Sequence, residues 1–551
     1  MRSLALILTS SALFAGPVLG QMAWPLPDAH GAIPHSQAAV NDPRSHGVIG
    51  DQLLSLAEAI LLTNGEIDEN ALSAEEVAQL SGFGGDIAWA EINASVVPVV
   101  TLERPLPTIR DTPHGFTITG AGGTPTIDLR DSRGLVVESD FFDSTNVRYL
   151  GGAYGIQLSQ RDTLFGTLLD RVVFEGQEIA GLQVINTSPG HGTRVQVVHC
   201  RFVDVPTGIA FYDVGSARTG RLEVFGDTRF TGCGTGIDVL TGSAGSLTLL
   251  FSGLSMAGGA TGIRIATPGP SARPVTITGR YLDLTASARA FWLDADASAR
   301  ALMLVQSSAF QSPGSAFRAG PLGANVDLTF QDSRTDGDVF LATGSTGRIQ
   351  AMNAFSAGGS WTLGSDNPTG VVQVSDSLLR DSAVGTAGNA TIRLADSCLE
   401  GGSVAGRATA LVAIDDSHRA ATTTVGAHVT ENRPLAAAQL GSFDATPTRP
   451  LLGTLLQLRA DLPAGIDGFV LFGRPNDSGA PPFSQPRIYC DLGSAVVLPT
   501  PLSGQAQLPV PIPAAPQLVG VELFFHLLAA PQPGTTAPPL TLPPGRRIRI
   551  G

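Results

Sequence analysis

The chain of 551 residues contains no lysine, and its 34 basic residues are all arginines. This absence excludes mechanisms that depend on a lysine, such as Schiff-base chemistry or phosphate binding by a loop whose motif contains a lysine. Aromatic residues are also scarce, at 6%, whereas glycine (65) and proline (38) are abundant. This composition favours many short strands and tight turns over long helices, and the 43% of hydrophobic residues can fill the cores of more than one domain.

Positively charged residues are fewer than negatively charged ones, and the formal net charge is −14. Nucleic acid is not an expected partner, because phosphate binding needs a basic stripe and none is visible. A strongly anionic polysaccharide is a less natural ligand for the same reason, unless a local arginine cluster overcomes the average. The four cysteines (Cys200, Cys233, Cys398 and Cys490) have no C-x-x-C spacing. They are too sparse for a disulfide framework or a zinc site, and we expect no bridge between Cys200 and Cys233.

The N-terminus has the pattern of a cleaved secretory signal. Met1-Arg2-Ser3 is followed by an apolar run to Leu19, and the small residues Val18 and Gly20 precede Gln21. This pattern predicts a signal peptide over residues 1–20 and a protein that is secreted or held at the cell surface, with no transmembrane span after cleavage. The alternative is a retained membrane anchor, but the run is shorter than the ~20 residues that span a bilayer.

A short phrase that begins with glycine returns along the chain at intervals of 20 to 28 residues. Its copies are Gly134-Leu-Val-Val, Gly155-Ile-Gln-Leu, Gly181-Leu-Gln-Val, Gly208-Ile-Ala-Phe, Gly236-Ile-Asp-Val and Gly262-Ile-Arg-Ile, followed by the degraded forms Ala290-Phe-Trp-Leu, Ala316-Phe-Arg-Ala and Asp338-Val-Phe-Leu. A second phrase lies between them, with alternating apolar residues that end on a small polar one, as in Val195-Gln-Val-Val-His-Cys and Leu411-Val-Ala-Ile-Asp-Asp-Ser. Each repeat therefore contains at least two short strands with one apolar face.

A unit of this length made only of short strands cannot close a core by itself. Stacking such units coil on coil gives a parallel β-helix, and the general rule for parallel crossovers predicts a right-handed one. A leucine-rich repeat is the alternative, but its signature is absent. The predicted fold class is all-β, a right-handed parallel β-helix (solenoid) with an N-terminal helical cap and a C-terminal β-sandwich domain. The predicted divisions are 1–20 signal peptide, 21–115 linker and cap, 116–433 β-helix and 434–551 β-sandwich.

The predicted cap is an amphipathic helix around Asp51-Gln-Leu-Leu-Ser-Leu-Ala-Glu-Ala-Ile-Leu-Leu, with Leu53, Leu56, Ala57, Ile60 and Leu61 on one stripe. This segment, followed by Val100-Thr-Leu-Glu-Arg-Pro-Leu-Pro-Thr-Ile109, Phe116-Thr-Ile-Thr-Gly-Ala-Gly122 and Thr126-Ile-Asp-Leu129, resembles the opening of secreted bacterial right-handed β-helix proteins of the pectate-lyase-like class. The resemblance implies a fold and export but not one reaction, because that class contains lyases, hydrolases, adhesins and structural proteins. The end of the chain resembles the small C-terminal β-sandwich module of many large secreted bacterial proteins.

Two patterns are candidates for chemistry. Gly190-His191-Gly192 resembles the G-H-G of polygalacturonases, but no Asp or Glu lies between Glu178 and Asp204 to supply a catalytic partner, so a plain turn is the favoured interpretation. The other pattern is a column of polar residues spaced by 20 to 23: Asp332, Asn353, Asp376, Asp396 and Asp416. Turn formation is the favoured interpretation there too, and Asp376, Asp396 and Asp416 are candidate Ca²⁺ ligands.

These observations predict a secreted or cell-surface β-helix protein that acts as a non-catalytic binding or scaffold protein, with a polysaccharide or a cell-surface component as the candidate partner. The alternative is a polysaccharide lyase or glycoside hydrolase with its site in the groove of the β-helix. No cofactor is expected other than Ca²⁺ at the aspartate column.

Overall fold

A computed structural model describes residues 35–550 of the chain with gaps. The gaps are 84–88, 95, 111–114, 140, 161–164, 188–191, 215–219, 243–245, 268–273, 296–299, 344–346, 353, 365–369, 376, 387–388, 396, 407–409, 416, 421–422, 426–427, 433–441, 447–451, 463, 474–494, 499–500, 519–520 and 533–545. Within these limits the molecule is an all-β parallel solenoid with few helices.

Three ladders of parallel strands run along the solenoid, and the first, ladder A, contains the predicted second phrase. Its strands are His35–Ala39, Trp89–Asn93, Phe116–Thr119, Phe141–Thr145, Phe165–Asp170, Thr193–Val198, Gly220–Phe225, Leu247–Ser252, Pro274–Arg280, Arg300–Gln306, the end of Ala309–Gln331, Arg348–Met352, Val371–Ser375, Thr391–Ala395, Leu411–Asp415 and His428–Asn432. Ladder A thus continues into the segment predicted as linker and cap.

Ladder B consists of very short strands. They are Val99–Thr101, Thr126–Arg130, Arg148–Gly151, Val173–Glu175, Arg201–Val203, Arg229–Thr231, Ser255–Ala257, Asp283–Thr285, the starts of Ala309–Gln331 and Arg334–Thr343, Phe355–Ala357, Leu378–Arg380, Cys398–Glu400 and His418–Ala420. Strands of three residues are too short to show alternation in the sequence, which explains why this ladder has no counterpart among the predicted phrases.

Ladder C contains the glycine phrase. Its strands are Leu135–Val137, Tyr154–Gln160, Ala180–Asn186, Thr207–Asp213, Thr235–Thr241, Thr261–Thr267, Arg289–Ala295, the middle of Ala309–Gln331, the end of Arg334–Thr343, Ser360–Leu363, Ala383–Thr386, Ser403–Ala405 and Thr423–Val425. Each coil passes through ladders A, B and C in that order. The parallel solenoid predicted from the repeats is confirmed, whereas its right-handed twist stays a prediction.

A sharp turn joins ladder A to ladder B in the coils from Phe141–Thr145 to Ala309–Gln331. The residue directly after the ladder A strand has a positive φ there, with values of 57° at Asn146, 55° at His199 and 51° at Asp332. Its backbone N–H continues the parallel pairing, as when Asp332 donates to the carbonyl of Met352 at 3.0 Å. Gly, Asn and Asp adopt this left-handed conformation most readily, but Arg171 and Tyr281 also adopt it here.

In three coils the glycine that opens the ladder C phrase (Gly155, Gly181 and Gly208) makes room for a stack of aromatic rings on ladder B. Phe202 lies between Phe174 and Phe230, with ring centroids 4.9 Å and 4.8 Å apart. A Cβ atom added at Gly208 would lie 2.4 Å from the Phe230 ring, and one at Gly181 would lie 2.7 Å from that of Phe202. The glycines are therefore required by the core rather than by a turn.

A ladder of buried hydroxyl groups takes over in the later coils. Ser377 Oγ donates to the carbonyl of Ser375 at 2.7 Å and accepts the N–H of Ala354, one coil earlier, at 3.0 Å. Ser397 repeats the arrangement and accepts the N–H of Ser377 at 3.2 Å. The hydroxyls satisfy backbone donors that the tight turn leaves without a strand partner. The serine that follows the polar column in the sequence therefore has a structural role.

The N-terminal helix spans Leu56–Thr63 and is closed by a capping box between Ser55 and Glu58. Leu56 and Ile60 are fully buried in the same core as the ladders, as the stripe predicts. Leu53 departs from the prediction: it is 38% exposed, because the helix begins only after Ser55. A short helix, Ala74–Val77, and a 3₁₀ turn, Glu69–Ala71, follow. The antiparallel strand Leu80–Ser81 pairs with the first ladder A strand.

The C-terminal segment forms antiparallel sheets. One contains Ser442–Thr446, Leu455–Asp461 and Gln505–Pro511. The other contains Val496–Val497, Ile466–Gly473, Leu502–Ser503, Glu522–Pro531 and Arg546–Arg549. A 3₁₀ turn at Pro516–Leu518 precedes Glu522–Pro531 in the chain. Leu458 of the first sheet and Val470 and Leu527 of the second belong to one hydrophobic cluster. No helix in the described ranges is long and apolar enough to cross a membrane.

Candidate functional site

The outward-facing residues of ladder C form a column that changes character along the solenoid. Each member occupies the third position of a glycine phrase, and strand register places successive members side by side on neighbouring coils. We call this set the outer column. Its members are Gln157, Gln183, Ala210, Asp238, Arg264, Trp292, Arg318 and Phe340.

The first members of the outer column are enclosed. Gln157 and Gln183 are buried and hydrogen-bond each other at 2.5 Å, and Ala210 is also buried. From Asp238 onward the column carries charged and aromatic side chains that are partly or fully exposed. The side chains of the outer column are therefore accessible to solvent only in the coils after Ala210.

Arg264 is the centre of an ion-pair network. Its Nη1 lies 3.5 Å from Asp238 Oδ1, and its Nη2 lies 3.8 Å from Asp294 Oδ2. The Tyr212 hydroxyl hydrogen-bonds to the Asp238 carboxylate from the preceding coil. Burial raises the pKa of Asp238, while Arg264 and then the Tyr212 hydrogen bond oppose that rise. The network fixes the Arg264 guanidinium and balances its charge.

Two arginines lie against the indole of Trp292. The guanidinium carbon of Arg289 is 4.0 Å from the ring centroid and that of Arg264 is 5.0 Å away. The next coils repeat the combination, since Arg318 lies 5.7 Å from the centroid of Phe340. Such cation–π contacts hold long arginine side chains in defined positions on an aromatic surface. The arrangement offers apolar ring surface and oriented N–H donors side by side.

The residues singled out from the sequence are not members of the outer column. Asp376, Asp396 and Asp416 fall outside the described residues, as do Asn353 and His191, so the Ca²⁺ site at this column stays a prediction. Asp332, the described member of the column, is 7% exposed and sits at the positive-φ turn after ladder A. Among the described residues, no group of three His, Cys, Asp or Glu side chains is placed to hold a metal ion.

Two other polar clusters are engaged within the protein. On the outer face of ladder A, Glu223 is buried and is bound by Arg221, by Gln196 and, at 3.4 Å, by Arg194. A shallow hollow at the turns between ladders B and C is lined by Asp336 and Asp338, among others. Asp336 pairs with Arg334 at 2.9 Å, and Asp338 accepts hydrogen bonds from the backbone and hydroxyl of Ser360. The carboxylates of both clusters already have protein partners.

Two of the cysteines, Cys200 and Cys233, are free. Cys200 and Cys233 are both buried, and their thiols contact backbone carbonyls of neighbouring coils. Burial raises the pKa of Cys200 to about 12 and that of Cys233 to about 11. Neither thiol is therefore a nucleophile at neutral pH.

No protein-family model matches the chain, and no curated protein is similar to it in sequence. A solved structure with partial likeness is tailspike protein 3 of bacteriophage CBA120, at 11% sequence identity and a TM-score of 0.23. The likeness covers 67% of this chain and 60% of the tailspike chain. At that score it carries no argument, and the assignment of the solenoid rests on the strand register described above.

Proposed function

We propose that this protein is a secreted or cell-surface β-solenoid that binds a polysaccharide along its outer column without cleaving it. The observation that carries the proposal is the change along the column from buried glutamine and alanine to the sequence Asp238, Arg264, Trp292, Arg318 and Phe340. A solenoid needs no aromatic residues on its outer face for its own stability. Partly exposed rings beside oriented arginines are typical of a binding surface.

A sugar polymer suits this surface chemically. The C–H face of a pyranose ring packs on an aromatic side chain, and its hydroxyl groups accept hydrogen bonds from guanidinium groups. The column members repeat at the strand spacing of ~4.8 Å. A linear polymer lying along the solenoid axis therefore meets one column member on each consecutive coil, which a small ligand would not exploit.

The charge arrangement favours binding over catalysis. Asp238 and Asp294 are the carboxylates nearest to the ring of Trp292 in the network, and Arg264 binds both. A hydrolase needs one protonated and one ionised carboxyl group free to reach the glycosidic oxygen and a water molecule. The raised pKa of Asp238 supports hydrolysis as the second candidate function, with Asp238 as the acid.

The remaining parts of the proposed architecture concern the ends of the molecule. The buried helix Leu56–Thr63 supports a cap over the first coils, because an uncovered ladder end would expose strand edges. The cluster shared by the two C-terminal sheets supports a β-sandwich, which we assign to attachment rather than catalysis. Secretion rests on the signal-like pattern of residues 1–20.

The first prediction concerns Trp292. In binding measurements on a panel of neutral and charged polysaccharides, we expect at least one to bind the full chain. Replacing Trp292 by alanine should weaken that binding about tenfold or more, since the main apolar platform is lost. The matched control is Phe225→Ala, which removes a partly buried aromatic residue from the outer face of ladder A.

The same samples separate the two candidate functions. Binding without release of reducing ends or unsaturated products supports the scaffold. Turnover that disappears in Asp238→Asn would replace the scaffold with the hydrolase. If no polysaccharide in a broad panel binds, or if Trp292→Ala binds as tightly as the wild type, the proposed function is wrong.

A further inference from the structure

Two arginines beside Trp292 and Phe340 differ from Arg264 in having no acidic partner among the described residues. Arg264 is paired with two aspartates, at 3.5 Å and 3.8 Å. For Arg289, which begins the strand of Trp292, and for Arg318 of the outer column, the described residues place no carboxylate within ion-pair distance, although the protein has an excess of acidic residues. Within the described part of the chain, two positive charges on one face of an acidic protein therefore have no neighbouring carboxylate.

The unpaired guanidinium groups are nevertheless held in place. Arg289 lies 4.0 Å from the centre of the Trp292 ring, and Arg318 lies 5.7 Å from the centre of the Phe340 ring. A guanidinium group has five N–H donors, and a cation–π contact with a ring does not use them as hydrogen-bond donors to an acceptor atom. An arginine held beside a ring is therefore suited to bind a planar or tetrahedral anion through two parallel hydrogen bonds.

The two arginines lie on the same side of the solenoid and on successive coils. Strand register places Arg318 directly beside Trp292, while Arg289 starts the strand that carries Trp292. Along the solenoid axis the order is Arg264, Trp292, Arg318 and Phe340, and Arg289 lies against the Trp292 ring from its own strand. A ligand that matches this face needs anionic groups beside an apolar ring face.

From these contacts, and resting on the proposed function, we propose that the outer column selects a polysaccharide whose sugars carry anionic substituents, received directly by Arg289 and Arg318. The recognition is by hydrogen-bonded ion pairs and needs no bridging divalent cation, because the nearby carboxylates of Asp238 and Asp294 are already bound to Arg264. The negative net charge of the protein restricts this binding to the one face where the arginines are unbalanced.

The test compares matched polysaccharides that differ only in charge. Heparin and heparin that has been desulfated, N-acetylated and carboxyl-reduced form one pair, and polygalacturonate and its methyl ester form the other. Calorimetry on the full chain should give at least tenfold tighter binding for the anionic member of one pair, with a dissociation constant that rises steeply with NaCl and is unchanged by EDTA. Arg318→Gln and Arg289→Gln should each weaken binding of the anionic member much more than binding of the neutral member, so that most of this preference is lost. The control is Arg348→Gln, an exposed arginine on ladder A.

The outcomes distinguish this inference from the proposed function. Equal affinity for both members of each pair contradicts anion selection but leaves the polysaccharide scaffold standing. Loss of binding in EDTA contradicts direct recognition by arginine. Absence of binding to every member contradicts the proposed function itself. Thermal melting of each variant shows whether it is folded, and the exposed position of Arg318 makes an unchanged melting temperature the expected result.

Discussion

The early and late coils of the solenoid solve the same packing problem in different ways. In the early coils, large rings such as Phe202 stack inside ladder B, and glycines on ladder C leave space for them. In the late coils, buried serines such as Ser397 satisfy the backbone at the turn after ladder A. One continuous core is therefore held by apolar bulk at one end and by a hydrogen-bonded ladder at the other.

The coil length changes together with the packing. Gln157 and Gln183, which face each other in early coils, are 26 residues apart, whereas Ser377 and Ser397 are 20 apart. The exposed part of the outer column, from Asp238 to Phe340, lies between the early coils with stacked rings and the late coils with the serine ladder.

The largest expected effect comes from breaking the aromatic stack. Replacing Phe202 by alanine removes a ring packed between two others and leaves a cavity, so the free energy of unfolding should fall by about 3–5 kcal/mol. Urea denaturation followed by circular dichroism measures the change. Phe202→Leu, which keeps most of the volume, should cost clearly less; equal losses for both variants would contradict the account that the cavity sets the size of the loss.

The next effect tests why glycine recurs on ladder C. In Gly208→Ala the added methyl group would overlap the Phe230 ring, which lies 2.4 Å from its position. We expect a loss of about 1–3 kcal/mol in the free energy of unfolding from overpacking. The control is Gly123→Ala, because nothing lies within 4 Å of the added atom there.

A second substitution sharpens this test. If the glycine is needed to accommodate the ring, part of the loss in Gly208→Ala should be recovered in the double variant with Phe230→Ala, relative to the sum of the single changes. Strictly additive losses would mean that the glycine and the ring act independently.

The smallest of the three effects concerns the hydroxyl ladder. Ser397→Ala removes the acceptor of the Ser377 N–H, which is buried, and should lower the free energy of unfolding by about 1–2 kcal/mol. Ser397→Thr retains the hydroxyl and should be nearly neutral, since Thr228 fills the equivalent role in an earlier coil. A neutral Ser397→Ala would show that the ladder does not stabilise the late coils.

The sequence contains most of the fold but only part of the site. Alternation in phrases such as Val195-Gln-Val-Val predicts ladder A, and the glycine phrase predicts ladder C, because both patterns are set by the core. Most ladder B strands are too short to show alternation in the sequence. The exposure of Leu53 could not be predicted either, because it depends on the helix beginning only after Ser55.

The outer column could be found only by comparing the third residues of the glycine phrases. Those positions face outward, so no core constraint makes them repeat, and their change from Gln183 to Trp292 resembles random surface variation. Strand register turns the separate letters into neighbours. The contacts of Arg289 and Arg318 with the rings depend on side-chain positions, which periodicity does not specify.

The most direct test of the account is a crystal structure of the full chain bound to an oligosaccharide of the tightest-binding polysaccharide. The account predicts a sugar ring against Trp292, with the oligosaccharide running along the solenoid axis toward Phe340 and substituents within hydrogen-bonding distance of Arg289 and Arg318. A sugar bound elsewhere, on ladder A or on the C-terminal sheets, with the outer column empty, would contradict it.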